Sequence, residues 1–198
     1  MNDIRRWVRG VLIFVFACFR KPSYGEKVFC VGYRKTGTTS TGAAFRLLGL
    51  RHSSYNHFIW KVGQGRIGGA VLFWYTSKFD SFDDLPWLTA AAIPVMDKRF
   101  PASKFVFTVR EEGEWLRSFM NWHKAYIGGP IDAEAELIKY RQHSEFVESY
   151  FKGADESKLF KVVVSQPGAM RDLAKFLGRE SVGDDFPHLN KGPADLDV

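Results

Sequence analysis

The 198-residue sequence is long enough for one domain with a hydrophobic core, and two domains would be cramped in it. Its 45% hydrophobic and 16% aromatic residues are typical of a globular protein, and no tract is polar or repetitive enough to indicate long disorder. The formal net charge of +6 favours anionic partners, but not nucleic acid, because the basic residues are scattered and form no stripe along a predicted helix.

The N-terminal segment, residues 1–24, is basic and then apolar. Arg5, Arg6 and Arg9 precede an apolar run over residues 11–19, much shorter than the ~20 residues that a membrane-spanning helix needs. The charge order is that of a signal peptide, but no small-residue cleavage site is evident and a core strand begins soon afterwards. We therefore expect an amphipathic helix that packs on the domain or lies at a membrane interface, in a cytoplasmic protein.

Strands alternate with helices in most of the remaining chain. Apolar, β-rich runs predict strands over residues 27–31, 104–109 and 159–164. Helical spacing of apolar residues predicts helices over residues 43–48, about 112–123, about 132–151 and 167–177. This alternation predicts one α/β domain with a mainly parallel sheet, helices on both faces and a core over residues 27–191. Cys18 and Cys30 are expected to be buried hydrophobic residues, with no disulfide and no metal site.

Two regions are harder to interpret. Residues 51–78 mix aromatic residues and glycines with no clean period, so no element is assigned there. Residues 80–86 indicate a turn that caps a helix beginning near Pro86, and Pro94 is expected to interrupt or kink that helix.

A glycine-containing loop follows the first strand and reads Gly-Tyr-Arg-Lys-Thr-Gly-Thr-Thr over residues 32–39. Both glycines and the last threonine match G-x-x-x-x-G-K-[ST], whose backbone N–H groups and helix N-terminus bind phosphates. The position of the lysine differs. Thr38 stands where the motif has its lysine, and Lys35 lies three residues upstream on the loop. A lysine on the loop suits a shorter anionic chain that ends in one transferable group. The alternative is a glycine turn that binds no ligand.

This loop resembles the phosphosulfate-binding loop of the sulfotransferases, which reads roughly Pro-Lys-[Ser/Thr]-Gly-Thr-Thr. The resemblance implies a three-layer P-loop fold and 3′-phosphoadenosine 5′-phosphosulfate as co-substrate, with no metal required. It implies that Lys35 contacts the oxygen bridging phosphate and sulfur, while amides and hydroxyls of the loop bind the 5′-phosphate and the sulfuryl oxygens. The candidate ligands are Arg34, Lys35, Thr36, Gly37, Thr38, Thr39 and Ser40.

A second element resembles the 3′-phosphate site of the same family. There an arginine at the carboxyl end of a strand and a serine on the next helix contact the 3′-phosphate, and Arg110 and Ser118 have that spacing. The guanidinium of an arginine presents several N–H donors side by side to phosphate oxygens. In open α/β sheets, ligands bind at the carboxyl ends of the strands. The alternative is a salt bridge from Arg110 to Glu111 or Glu112, with Ser118 merely exposed.

Weaker similarities extend the resemblance over residues 27–191. Segments 79–87, 140–143, 150–151 and the Phe-Pro-His-Leu-Asn of residues 186–190 resemble a branch with Phe-Pro-His-x-Asn near its end. Ser40 stands where many members have an aromatic residue that stacks on adenine. In those members an Arg-Lys-Gly segment closes over the co-substrate, and this sequence lacks it. Lys191, with the glycine that follows it, is the only candidate replacement late in the sequence.

A general base is needed to take the proton of the acceptor, and His57 and Asp84 are the favoured candidates because their segments lie between the two co-substrate elements. His52 and His123 are further candidates, whereas His143 and His188 are expected to be structural. Each favoured residue could instead be a surface or capping residue.

The expected function is sulfuryl transfer to a hydroxyl or amine of a small-molecule or glycan acceptor. One alternative is a P-loop kinase or nucleotidase that uses ATP and magnesium. Against it, Thr38 replaces the essential lysine and no apolar strand ends in a clear magnesium-binding Asp. The other alternative is a non-catalytic protein that kept the nucleotide pocket and lost the base.

Overall fold

The computed structural model describes residues 3–65 and 68–187. Its strands are β1 (Val28–Cys30), β2 (His52–Ser53), β3 (Ser81–Phe82), β4 (Lys104–Thr108) and β5 (Leu159–Val162). Its helices are α1 (Asp3–Cys18), α2 (Thr38–Leu47), α3 (His57–Gly63), α4 (Gly68–Thr76), α5 (Ala92–Arg99), α6 (Glu112–Tyr126), α7 (Ala133–Tyr150) and α8 (Ala169–Phe176).

The strands form one parallel sheet in the order β2-β3-β1-β4-β5. Alternate residues of β1 point to opposite faces, as the pleat of a strand requires. Phe29 packs with residues of α1, α3, α4, α5 and α7, whereas Val28 and Cys30 pack with residues of α2 and α8. The predicted parallel α/β sheet with helices on both faces is therefore confirmed.

The central position of β1 brings together the segments that follow neighbouring strands. Val28 is in register with Ser81 of β3 and with Lys104 of β4, and all three strands run in the same direction. The segments that begin at Gly32, Asp83 and Val109 therefore leave the same edge of the sheet.

The region from residue 51 to residue 100 differs from the sequence expectations. β2, α3 and α4 occupy the stretch without an assignment, and β3 lies where only a turn was predicted. The helix expected near Pro86 is also wrong, because residues 85–91 form turns and α5 begins at Ala92. Pro94 lies in the first turn of α5, where a backbone N–H has no intrahelical acceptor, so the expected kink does not arise.

The N-terminal helix packs on the edge of the domain. Ala17 of α1 is fully buried in the larger core cluster, and the side chain of Asn56 donates a 3.2 Å hydrogen bond to the carbonyl of Gly10. Within residues 3–65 and 68–187, no helix has the length and apolar character needed to cross a bilayer.

Gly32 is required by a close approach between the ends of β1 and β4. A β-carbon at this position would lie 1.8 Å from Oγ1 of Thr108 and 2.6 Å from the carbonyl oxygen of Thr108. Both distances are far below van der Waals contact, and one of the opposing atoms belongs to the backbone, so the strands would have to separate locally.

We therefore expect Gly32→Ala to lower the free energy of unfolding by about 3 kcal/mol, since overpacking a tight site commonly costs about 1–3 kcal/mol. Urea denaturation measures this change. Gly69→Ala is the matched control, because Gly69 lies exposed on α4 with open space around it and alanine favours the helix. A Gly32→Ala protein as stable as the Gly69→Ala protein would contradict the close approach.

Candidate functional site

The loop between β1 and α2 is held in shape by its own threonine. The Thr36 hydroxyl donates to the carbonyl of Tyr33 at 2.6 Å and lies 2.7 Å from the hydroxyl of Thr108 on β4. Gly37 has a φ of 102°, and a β-carbon on it would lie 2.4 Å from Cγ2 of Val164. The chain can therefore turn into α2 here only because residue 37 is a glycine.

The turn leaves the amino end of α2 available to an anion. α2 begins at Thr38, directly after Gly37, and no side chain caps it. The backbone N–H groups of Thr38, Thr39 and Ser40 lie in the first turn and have no intrahelical acceptor. Thr39 is exposed and Thr38 is half-buried, whereas the side chain of Ser40 is buried. The geometry is that of a phosphate-binding helix N-terminus.

Lys35 lies at the turn of this loop, half-buried, with its Nζ 5.9 Å from the ring centroid of Trp122. Burial lowers the pKa of Lys35 below its ordinary value, and the nearby Arg110 cation lowers it further. Within the described part of the chain, no carboxylate forms an ion pair with Lys35. The ammonium group is thus a partly desolvated cation that lies within the influence of a second cation.

Arg110 follows β4 and is fixed through its backbone. Its N–H donates to the Tyr140 hydroxyl at 3.2 Å, and that hydroxyl donates to the Arg110 carbonyl at 2.6 Å. The Arg110 side chain contacts Glu114 at 3.5 Å, so the pairing with Glu111 or Glu112 considered from the sequence is not formed. Ser118 lies half-buried one helical turn beyond Glu114, on the same face of α6.

Arg34 joins the loop to α6 and α7. Its guanidinium forms an ion pair with Glu136, which also accepts a 2.6 Å bond from Lys139. The Arg34 carbonyl accepts a 2.8 Å hydrogen bond from the indole of Trp115. The Nε of Arg34 is buried and has no hydrogen-bond partner in the part of the chain that the structure describes, so one donor remains for a ligand.

Asp84 is a carboxyl group with unusual surroundings, in the segment that follows β3. Burial raises its pKa to about 6, although a 2.7 Å hydrogen bond from the N–H of Leu85 and the charge of Arg34 oppose the increase. Burial also raises the pKa of Tyr55, and the charge of Asp84 contributes to that increase. The Tyr55 hydroxyl lies 2.7 Å from Nδ1 of His57. Tyr55 is thus in contact with His57 and within the influence of the charge on Asp84.

Backbone strain marks two of the predicted catalytic residues. Of the residues that the structure describes, Lys35 and Asp84 are the non-glycine residues with positive φ, at 68° and 62°. This left-handed conformation costs a residue with a β-carbon roughly 1–2 kcal/mol. Such strain is concentrated at functional sites, where the surrounding structure maintains it.

The other histidines have different surroundings. His52 is buried under α2, with Nε2 3.4 Å from Asp83 and Nδ1 3.0 Å from the Ser81 hydroxyl. His123 is buried within α6, and Nε2 of His143 lies 2.7 Å from the carbonyl of Val31. His188 and Lys191 lie outside the described residues, as does the end of the Phe-Pro-His-Leu-Asn motif.

Asp83 bears on the kinase alternative, because it is an acid that follows a strand beside β1. It lies directly after β3. Its carboxylate is buried, and a β-carbon on Gly42 of α2 would lie 2.7 Å from Oδ2 of Asp83. This acid is therefore enclosed between His52 and α2.

The residues that sequence reasoning missed are those that brace the loop. Tyr140, Trp115, Glu136 and Trp122 each contact one of the loop or strand-end cations. Tyr140 and Trp115 stand within the segments whose resemblance to the family was noted, and that signal could have singled them out. Glu136 and Trp122 carry no comparable signal.

Comparison with known proteins identifies the family. A family model described as a sulfotransferase domain matches residues 27–133, which include β1, the loop, β4 and all of α6. The chain belongs to this sulfotransferase family. It is accordingly a transferase by family, and no curated protein matches its sequence.

Solved structures with similar folds include sugar and metabolite kinases. A gluconokinase from Sinorhizobium meliloti 1021 has 16% identity and a TM-score of 0.50, over 79% of this chain and 93% of that chain. A shikimate kinase from Acinetobacter baumannii, in complex with shikimate, has 18% identity and a TM-score of 0.48, over 76% and 89% of the two chains. The likeness to the gluconokinase concerns the fold alone and agrees with a P-loop α/β architecture.

The strain at Lys35 is measurable through two variants that remove the same ammonium group. We expect Lys35→Gly to be more stable than Lys35→Ala by about 1 kcal/mol, because glycine adopts positive φ without the steric cost that alanine pays. The free energy of unfolding in urea measures the difference. An alanine variant equal to or more stable than the glycine variant would show that residue 35 is not held in the left-handed conformation.

Proposed function

We propose that this sulfotransferase transfers a sulfuryl group from 3′-phosphoadenosine 5′-phosphosulfate to a hydroxyl or amine of a small-molecule or glycan acceptor. The observation that carries the proposal is the proximity of Lys35 and Arg110, which follow different strands. Burial lowers the pKa of Lys35, and the nearby charge of Arg110 lowers it further. Two cations kept together in a half-buried space are stabilised best by a ligand with several negative charges.

The residues present fit such a ligand. The free N–H groups of the first turn of α2 suit the 5′-phosphate, and the Thr38 and Thr39 hydroxyls add donors beside them. Arg110 and Ser118 suit the 3′-phosphate, since Arg110 follows the carboxyl end of β4 and Ser118 lies on the face of α6 that carries Glu114, which Arg110 contacts. The unpaired Nε of Arg34 suits a further oxygen of the same group. The co-substrate supplies the activated sulfuryl group itself.

Each catalytic residue has one role in the transfer. Asp84 accepts the proton that the acceptor loses as its oxygen or nitrogen forms a bond to sulfur. Lys35 stabilises the electron pair that remains on the phosphate oxygen as the sulfur–oxygen bond breaks. His57 is the second candidate base, and its hydrogen bond with Tyr55 lies beside Asp84. The proton count balances, because the acceptor loses one proton and the base gains it.

The rival functions are supported less well. A kinase would need a lysine where Thr38 begins α2, and Asp83, the acid that follows β3, is enclosed rather than presented to the loop. A non-catalytic nucleotide-binding protein would have no need of a strained Asp84 with a raised pKa. The proposal includes a cytoplasmic location with peripheral membrane contact through residues 1–24.

Binding of the desulfated product, adenosine 3′,5′-bisphosphate, tests the site directly by calorimetry. We expect tight binding to the full chain and no comparable heat with ATP and magnesium. Arg110→Ala should weaken binding by about tenfold to a hundredfold, because a charge-assisted contact to phosphate contributes about 1.5–3 kcal/mol. Lys35→Ala should lower turnover by about a hundredfold or more with a smaller loss of affinity.

Arg171→Ala is the matched control for Arg110→Ala, because Arg171 is also an arginine paired with a carboxylate, Asp184, but it lies on α8. The Arg171→Ala protein should bind adenosine 3′,5′-bisphosphate with the affinity of the unsubstituted protein. Preferential binding of ATP with magnesium would support a kinase instead, and product binding without any turnover on a broad acceptor screen would support the non-catalytic alternative.

If Asp84 is the base, turnover should depend on pH in a particular way. Asp84 works as a carboxylate, and its pKa is raised to about 6, so turnover should rise with pH through that value and level off above it. In Asp84→Asn this rising limb should disappear and turnover should fall by about a hundredfold or more. Steady-state rates between acidic and neutral pH measure both effects. If the limb persists in Asp84→Asn and disappears in His57→Gln, His57 is the base.

A further inference from the structure

The outer face of α1 is mostly apolar, with the exposed Arg5 at its amino end, and has no partner within the described chain. Ile4, Leu12 and Phe16 are 74%, 54% and 69% exposed, Val8 lies between the first two on the same face, and Phe19, directly after the helix, is 84% exposed. Their spacing of three or four residues places them along one side of the helix. Gly10 and Ala17, on the opposite side, are buried against the domain. Monomeric soluble domains rarely leave so continuous an apolar surface in water.

A cationic cavity borders this face on one side. It has a volume of about 290 Å³, lies between α1 and the edge strand β2, and contains Arg9, Arg20 and Arg46 among its lining residues. No carboxylate among residues 3–65 and 68–187 forms an ion pair with any of these arginines. Ser54 and Tyr55 add hydroxyl groups to the same lining. The cavity is therefore suited to an anion with several oxygen atoms.

An apolar cleft borders the same face on the other side. It has a volume of about 370 Å³ and is lined by Phe14 and Cys18 of α1 and by Ala70, Val71 and Trp74 of α4. Going around α1, a cationic cavity is thus followed by the exposed apolar face and then by an apolar cleft. This order matches the boundary of a bilayer, where phosphate groups lie next to acyl chains.

We propose that α1 lies in the interface of an anionic lipid bilayer, with its apolar face among the acyl chains and with lipid phosphates bound by Arg9, Arg20 and Arg46. The charge complementarity favours lipid over a second protein chain. Arginines at the centre of a protein interface would need carboxylate partners to offset their desolvation, whereas an anionic bilayer supplies many phosphates at its surface. The inference extends the proposed membrane contact and does not depend on sulfuryl transfer.

Sedimentation with lipid vesicles tests the inference, using the full chain without nucleotide. We expect the protein to bind vesicles of phosphatidylcholine mixed with phosphatidylserine, to bind pure phosphatidylcholine weakly, and to dissociate as salt is raised. Arg9→Gln, Arg20→Gln and Arg46→Gln should each weaken binding to the anionic vesicles about fivefold, since a basic residue near such a surface contributes about that factor.

Phe16→Ser tests the apolar contribution and should weaken vesicle binding by about tenfold. Arg171→Gln is the control for the arginines, because Arg171 is exposed on α8 and lies outside the cavity. Binding of the nucleotide product should be unchanged in all these variants, which separates this test from that of the transfer reaction.

Three results would overturn the inference. One is equal binding of the two vesicle types, and the second is no binding to either of them. The third is self-association in the absence of lipid that Phe16→Ser abolishes, which would assign the apolar face to a second copy of the chain. Size-exclusion chromatography over a range of protein concentrations detects that outcome.

Discussion

The partial burial of the Lys35 cation, near the charge of Arg110, is the constraint on which the proposed site depends. Parallel pairing of β1 with β4 brings the segments that carry these cations to one edge of the sheet. A charge that loses its hydration without gaining a counter-ion is unfavourable, and the lowered pKa of Lys35 reports that penalty. The fold must therefore supply enough packing elsewhere to keep the two cations together.

That packing comes from a small aromatic layer between α6 and α7. Trp115 stacks on Tyr140 with ring centroids 4.5 Å apart, and both residues hydrogen-bond the backbone of the elements that carry the cations. Trp115 holds the carbonyl of Arg34, while Tyr140 holds both backbone polar groups of Arg110. The layer thus fixes the backbone on both sides of the proposed anion site without using the charged groups of Lys35 and Arg110.

The parts of the fold that the sequence predicted are those with strong local signals. β1 is a continuous apolar run, β4 and β5 are mainly apolar, and α6 and α7 carry several turns of helical spacing. β2 and β3 are only two residues long each, and they are strands because they pair with neighbours distant in sequence, which no local pattern reports. The bracing role of Tyr140 is similarly non-local, since its partner Arg110 lies on another element.

The same distinction explains what could be predicted about the base. The position of its segment between the two co-substrate elements suggested Asp84 as a candidate base, but its raised pKa depends on burial, which only the folded structure shows. Its left-handed backbone also has no sequence signal, because aspartate is compatible with several turn conformations. Lys35 and Asp84 thus share a feature that only the structure reveals. Each occupies a backbone conformation that glycine would adopt at lower cost, and each carries a charged side chain there. Stability alone would favour glycine at both positions, and strain of this kind is concentrated at functional sites, which is why these two residues are the ones proposed for the chemistry.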